Sequence, residues 1–414
     1  MACLRLWALM NPFPNELKSN HYRAGRRHRI SALGLAAALQ LLPICRVRAE
    51  DHVDYRYENY GEENHRIKVE THSLLFETRL KPWLSAKGEV VYDAISGASP
   101  TGAPPPSTIN FVPAEEGGPA GPFSNRVPLS KLQDTRYAVT FELPATYQQH
   151  HLSPQFSYSE EDDYLSLAAA LNYSIDLNQK NTTLNTGWAH NWDTIRPKGF
   201  LFSTAHKDSD DFLIGVNQLL GPATVMTVNL SYGRSHGYLN DQYKGVLFDN
   251  DVQLDPVSPA LTAEKRPETR NRYIAYTSLT QDIAPLDASI EGSYRFFHDS
   301  YGINAHTLGL AWFQKLGSAI VLSPIFRYYW QTEAGFYATR FPNSAARPEF
   351  YSADYRLSHL QSLTYGFVVS IKPVDWITLD AGFRRYTMRG LDNVTSQSAY
   401  PKANIFTLGA RVWF

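Results

Sequence analysis

Side chains capable of chemistry are abundant in this sequence, but few are spaced as a site requires. Carboxylates gather in "SEEDD" (159–163), "DSDD" (208–211) and "DNDVQLD" (249–255). Oxygen ligands this close together suit a hard cation such as calcium, yet none of the three has the glycine and distal glutamate of a calcium loop. The expectation is therefore solvated rim charge and no metal. His206, Asp208, Asp210, His236 and His298 could supply an Asp/His pair for hydrolysis. The chain has no "GxSxG" nucleophile turn, and His150 and His151 fall in a predicted turn at the opposite end of the strands. No enzyme is expected. Zinc spacings, haem-attachment motifs and phosphate-cradling glycine loops are missing too, so no cofactor is expected.

A second set of charges is distinguished by position. Glu142, Glu291, Arg295, Arg327, Asp380, Arg384 and Arg411 all occupy the polar parity of segments whose other parity is apolar. "ITLDAGFRR" opposes Ile377, Leu379, Ala381 and Phe383 to Thr378, Asp380, Gly382 and Arg384; "LSLAAALNYSID" and "TVMTVNLSYG" alternate in the same way. Period two means strands, each with one apolar face and one small or polar face. Small and hydrogen-bonding residues fill the second face so consistently that a wet lumen explains it better than the packed interior of a soluble sandwich. The seven charges are then pore-lining candidates, partly pairing with one another and partly setting a field across the pore, with weak charge selectivity expected.

The elements that must position them follow from the rhythm. Sixteen strands fit between residues 52 and 414, among them 64–80, 134–146 and 355–373, and the last at 403–414. Short connections such as "KPW" (81–83), "GPA" (221–223) and "KPVD" (372–375) alternate with long ones at 98–133, 194–207, 236–269, 335–354 and 391–402. Long and short connections sort to opposite ends. The predicted fold is all-β: a transmembrane antiparallel β-barrel of about 16 strands, with short periplasmic turns and long extracellular loops. Its final strand "ANIFTLGARVWF" stops on an aromatic because it pairs with the first and closes the cylinder. Trp188, Trp192, Trp312, Tyr328 and Trp330 fall where interfacial girdles would lie. The segment 98–133 is rich in Pro and Gly; a surface loop is expected, with a fold into the mouth as the alternative.

Composition agrees. Aromatics make up 13% of the 414 residues, while no run of about 18 apolar residues exists to form a membrane helix. "RAGRRHR" (23–29), the apolar 30–44 and "VRA" (47–49) read as an export signal, so residues 1–49 are expected to be a removed signal segment with an N-terminal extension and 50–414 a single barrel domain. That segment takes Cys3 and Cys45 with it, which excludes disulfides and thiolate chemistry from the mature chain. It also removes eight Lys/Arg and one Glu, leaving a net charge of −8 and no expectation of a nucleic-acid partner.

The segments "VVYDAISGASPTGAPPP" (90–106), "LNYSIDLNQKNTTL" (171–184), "YSADYRLSHL" (351–360) and "TSQSAYPKANIFTLGARVWF" (395–414) resemble an uncharacterised Gram-negative family, domain of unknown function 3570. The resemblance implies an outer-membrane barrel, with lipid and lipopolysaccharide around it and recognition of Phe414 by barrel-assembly machinery. It implies no catalytic residue. The functional expectation is a porin-like passive channel for small solutes or ions. The alternatives are a structural or docking barrel for a periplasmic or surface partner and, less favoured, a rim hydrolase.

Overall fold

A computed structural model describes residues 51–64, 66–105, 126–249, 261–342 and 344–414. The expected signal segment, the centre of the 98–133 connection and most of "DNDVQLD" lie outside the described residues. Sixteen strands form one closed antiparallel ring: β1 (His52–Glu62), β2 (Lys68–Lys81), β3 (Leu84–Pro100), β4 (Leu129–Glu142, continued by Ala145–Tyr147), β5 (His150–Glu160), β6 (Tyr164–Leu177), β7 (Thr182–Ile195) and β8 (Ala205–Gly221), then β9 (Thr224–Gly237), β10 (Thr269–Ile283), β11 (Ala288–Asp299), β12 (Asn304–Leu316), β13 (Ile320–Gln331), β14 (Leu360–Val374), β15 (Ile377–Gly390) and β16 (Lys402–Trp413). Each strand pairs with its sequence neighbours, and β16 pairs with β1 from His52↔Trp413 to Glu62↔Ala403. The ring itself has no open edge. Following the register once round displaces the starting point by about as many residues as there are strands, a shear that goes with tilts of about 35–45° and a backbone diameter of roughly 30 Å.

Alternation dictates the wall. Leu167, Leu171, Trp188, Ile214, Leu230, Leu279, Leu310, Phe367 and Leu408 are all exposed on the outside, while their sequence neighbours point into the lumen. A continuous outer wall of large apolar side chains has no covering within the described chain; such a patch marks contact with another apolar phase. Trp192 and Trp330 stand towards the long-loop end of this wall, Trp83, Trp312 and Trp376 towards the short-turn end, and Trp188 at mid-strand.

Of the boundaries that differ from the sequence expectation, three have a clear local reason. β4 breaks after Glu142 because Pro144 cannot donate to the ladder. β2 starts four residues late because Arg66 turns back to bond Glu62 (2.8 Å) and the carbonyls of Ser398 and Ala399. β14 starts at Leu360 instead of 355 because Asp354 caps a short 3-10 turn over Tyr355–Leu357, accepting from the Arg356 backbone N–H. The well-buried hydrophobic residues cluster at the long-loop end: Phe297, Tyr301, Ile303, Tyr329, Leu357, Leu360, Met388 and Tyr400 form one group and Val246, Phe248, Phe341 and Tyr351 another. The packed core of this barrel is its mouth.

Candidate functional site

All seven sequence-selected charges lie on the inward parity of their strands, opposite the exposed apolar residues that flank them. The structure does not gather them into one cluster. Arg411 meets Asp54 through two contacts of 2.6 Å and Arg384 meets Glu58 at 2.8 Å, both across the closing seam. Asp380 accepts from Ser370. Further inward pairs, Asp93–Arg136 at 2.7 Å, Asp211–Arg272 at 3.0 Å and Asp299–Arg270 at 2.6 Å, continue the ladder. Asp93–Arg136, Asp299–Arg270 and Arg411–Asp54 join neighbouring strands, whereas Asp211–Arg272 reaches across β9 and Arg384–Glu58 across β16, so pairing is one use of lumen charge. Sequence parity alone could have found Asp54, Glu58, Asp93 and Arg136, because they obey the same rule.

Arg295 and Arg327 are different. Among the described residues neither has a carboxylate partner. Arg295 is 7% exposed, lies 5.5 Å over the Phe297 ring, and its Nε and Nη2 lack hydrogen-bond partners. It is level with Thr307 and Tyr329 across β11, β12 and β13, while Arg327 stands one inward position lower on β13 and is exposed to the lumen. Two guanidinium groups without a carboxylate partner among the described residues thus face the same space directly beneath the packed mouth, where a low-dielectric wall strengthens their field.

The mouth is spanned by its own loops. The β3–β4 and β9–β10 connections are rooted six strands apart on the ring, yet the Gly245 N–H donates to Thr101 O at 2.9 Å and the Lys244 ammonium bonds the Pro100 carbonyl. The Phe200 N–H reaches Gln242 O at 2.8 Å, and Lys265 and Tyr351 exchange backbone bonds of 2.9 and 2.8 Å. Gly102 and Gly199 permit two of these approaches. Both have positive φ, and a Cβ on either would meet a carbonyl oxygen of the β9–β10 loop, at 2.4 Å from Gly245 and 2.2 Å from Gln242. The described flanks of 98–133 are therefore drawn inwards, with Ala103, Val127 and Leu132 buried.

A buried ion network knits this cap. Arg266 reaches Glu264 (2.7 Å) and Asp354 (2.8 Å), Arg356 reaches Asp241 and Asp354 (2.5 Å each), and Ser352 donates to Glu264 at 2.5 Å. Burial pushes the Glu264 carboxyl up to about 7 against the pull of Arg266. Burial would raise Asp354 as well, but Arg356 and Arg266 together hold it well below the usual carboxylate range. A cavity of about 270 Å³ lies between the β3–β4, β13–β14 and β15–β16 loops, walled by Pro104, Tyr337, Tyr355 and Val394.

The rim candidates for hydrolysis separate. His206 meets Thr194 at 3.4 Å and His236 meets Thr269 at 3.0 Å. Asp210 and Asp208 instead flank His190, at 2.8 and 3.9 Å, on the outer wall beside Trp188 and Trp192. His190 escaped the sequence reading because it sits inside a strand. In "SEEDD" the expectation of solvated charge fails for Asp163, which is 2% exposed.

A family model described as "Protein of unknown function (DUF3570)" matches residues 28–406. The chain belongs to that family. No curated protein sequence matches this DUF3570 chain. Among solved structures it is similar to a bacterial polysaccharide outer membrane secretin, with 8% identity, 89% of this chain and 100% of that one covered, and a TM-score of 0.49. It is also similar to OccK5 (OpdH) from Pseudomonas aeruginosa (8% identity, 88% and 98% covered, TM-score 0.41) and to the siderophore receptor PirA from Acinetobacter baumannii (13% identity, 83% and 54% covered, TM-score 0.42). The chain spans little more than half the length of that receptor. These likenesses concern the barrel fold alone.

Proposed function

We propose that this protein is a porin-like passive channel in the outer membrane of a Gram-negative bacterium, narrowed at its outer mouth by its own laced loops and mildly selective for small anions. The observation that carries the reading is the pair Arg295 and Arg327, which have no carboxylate partner among the described residues and lie beneath the cap, while Arg411, Arg384 and Arg136 are held by Asp54, Glu58 and Asp93. Paired charges rigidify a wall; unpaired ones act on what passes. The apolar outer wall supports the membrane location, and the long-loop end would face outwards with the termini at the periplasmic rim. Assembly through Phe414 by barrel-folding machinery belongs to the same proposal.

Purified protein in planar bilayers tests it. The expected record shows small steps, well below those of an open sixteen-strand pore, with a reversal potential favouring chloride over potassium in a salt gradient. Folded protein that carries no current would overturn the channel. That outcome would favour a structural or docking barrel, a second reading supported by the cross-mouth hydrogen bonds.

A further inference from the structure

The turn between β5 and β6, residues 161–163, brings the acidic run against β4. Asp134 and Asp163 are 3% and 2% exposed, and one carboxylate oxygen from each of Asp134, Glu161 and Asp163 lies within 4.8 Å of the other two. That spacing is about twice a calcium–oxygen bond, so one ion could touch all three oxygens without moving the backbone; magnesium, with shorter bonds, would require the site to contract. A second observation separates this group from an ordinary acidic cluster. The Oδ1 of Asp134 is used, accepting the Thr135 N–H at 2.8 Å and the Asp162 N–H at 3.3 Å, but its Oδ2 is buried with no hydrogen-bond partner. A buried carboxylate oxygen without a donor carries a full desolvation cost unless a cation meets it.

Among the described residues no cation hydrogen-bonds to that oxygen. The Lys198 ammonium is buried without a hydrogen bond; it stands 3.7 Å from Asp163 and its charge also acts on Asp134, so it occupies the cluster as a competitor and not as a bonded partner. Arg196 spends its guanidinium on the Glu160 carboxylate and on the carbonyls of Glu161 and Asp162. Gln242 and Tyr243 donate to Asp163 Oδ2. We propose that Asp134, Glu161 and Asp163 hold one divalent cation of the calcium class, bound at the inner rim where the β5–β6 turn meets the β7–β8 and β9–β10 loops. The ion would complete the lacing of the mouth, since its ligands belong to the barrel wall while Gln242 and Tyr243 belong to a loop that crosses it.

The test uses the whole mature protein, freed of lipopolysaccharide, refolded in detergent and stripped with chelator. Terbium luminescence sensitised by the adjacent Tyr243 should saturate at one ion per chain, and calcium should displace it. Asp134→Asn and Asp163→Asn, near-isosteric changes, should each weaken binding at least tenfold while the heat-modifiable gel band of a folded barrel persists. Lys198→Met should tighten binding severalfold by removing a competing charge. If both Asn variants fail to fold, Lys198→Met decides: tighter binding supports the site, unchanged or absent binding refutes it. Saturable terbium binding that survives intact in folded Asp134→Asn, or no saturable binding in the unaltered protein, overturns the proposal.

Discussion

Arg327 and Arg384 look interchangeable by sequence parity, but their partners give them different consequences. Reversing Arg384 places a carboxylate against Glu58, 2.8 Å from the group it replaces, and damages the closing seam before it alters current. Arg327 has no such partner among the described residues, so Arg327→Glu should leave the barrel folded, reduce single-channel conductance and shift the reversal potential towards cation preference. An unshifted potential would remove the arginine pair from the selectivity argument. Glu264 governs a separate property. Its folded pKa, about 7, lies above its ordinary value near 4.5, so the folded cap binds the proton more tightly than the open chain does. That contribution to cap stability is complete below about pH 4.5 and is lost as pH rises through 7, amounting to roughly 3 kcal/mol. Asp354 and Asp241 are shifted downwards and titrate below this window. Hydrogen exchange of the 238–249 amides should therefore accelerate between pH 5 and 7.5 beyond the intrinsic rate, and Glu264→Gln should abolish that excess.

Loops, more than strands, set what this barrel can pass. Gly102 lets the β3–β4 loop lie against the β9–β10 loop, and its φ of +97° with Gly245 O 2.4 Å from a Cβ position leaves no room for a side chain. Gly102→Val should push these loops apart, raise conductance and expose the cap to protease while the barrel band on gels stays unchanged; an unaltered conductance would mean that this crossing does not restrict the pore. Arg356→Met should loosen the same cap by about 3–5 kcal/mol, because it leaves Asp241 and Asp354 buried without their shared cation. The strands themselves were legible in the sequence because each is an independent statement of period two, repeated sixteen times; "ITLDAGFRR" declares its inward face without reference to any neighbour. The cap was not legible. Its bonds join Thr101 to Gly245 and Lys265 to Tyr351, residues far apart in sequence whose segments follow no period, so nothing local records the contact. Asp163 was misread for the same reason: an acidic run resembles solvated charge until Lys198, Gln242 and Tyr243 arrive from other loops to cover it.

At the scale of the molecule, the ring has no redundancy: sixteen strands satisfy one another's backbone groups only because β16 meets β1 over eleven residue pairs. Deleting 402–414 removes an entire strand, leaving the open edges of β15 and β1 with a row of unsatisfied donors and acceptors on each. No adjustment of the remaining fifteen preserves the parity, because β15 and β1 would then run parallel, and their turn and terminus would lie at opposite ends. The truncated chain should fail to give the heat-modifiable form in any detergent and should aggregate. Phe414→Ala tests something narrower. Phe414 lies just beyond the strand and contributes its N–H to Asp51 O at 2.9 Å, a bond that alanine keeps. The purified variant should therefore refold and unfold like the parent in vitro, whereas its yield in the outer membrane of cells should fall severalfold if the terminal aromatic is read during assembly. Equal yields in cells would confine the role of Phe414 to packing at the seam.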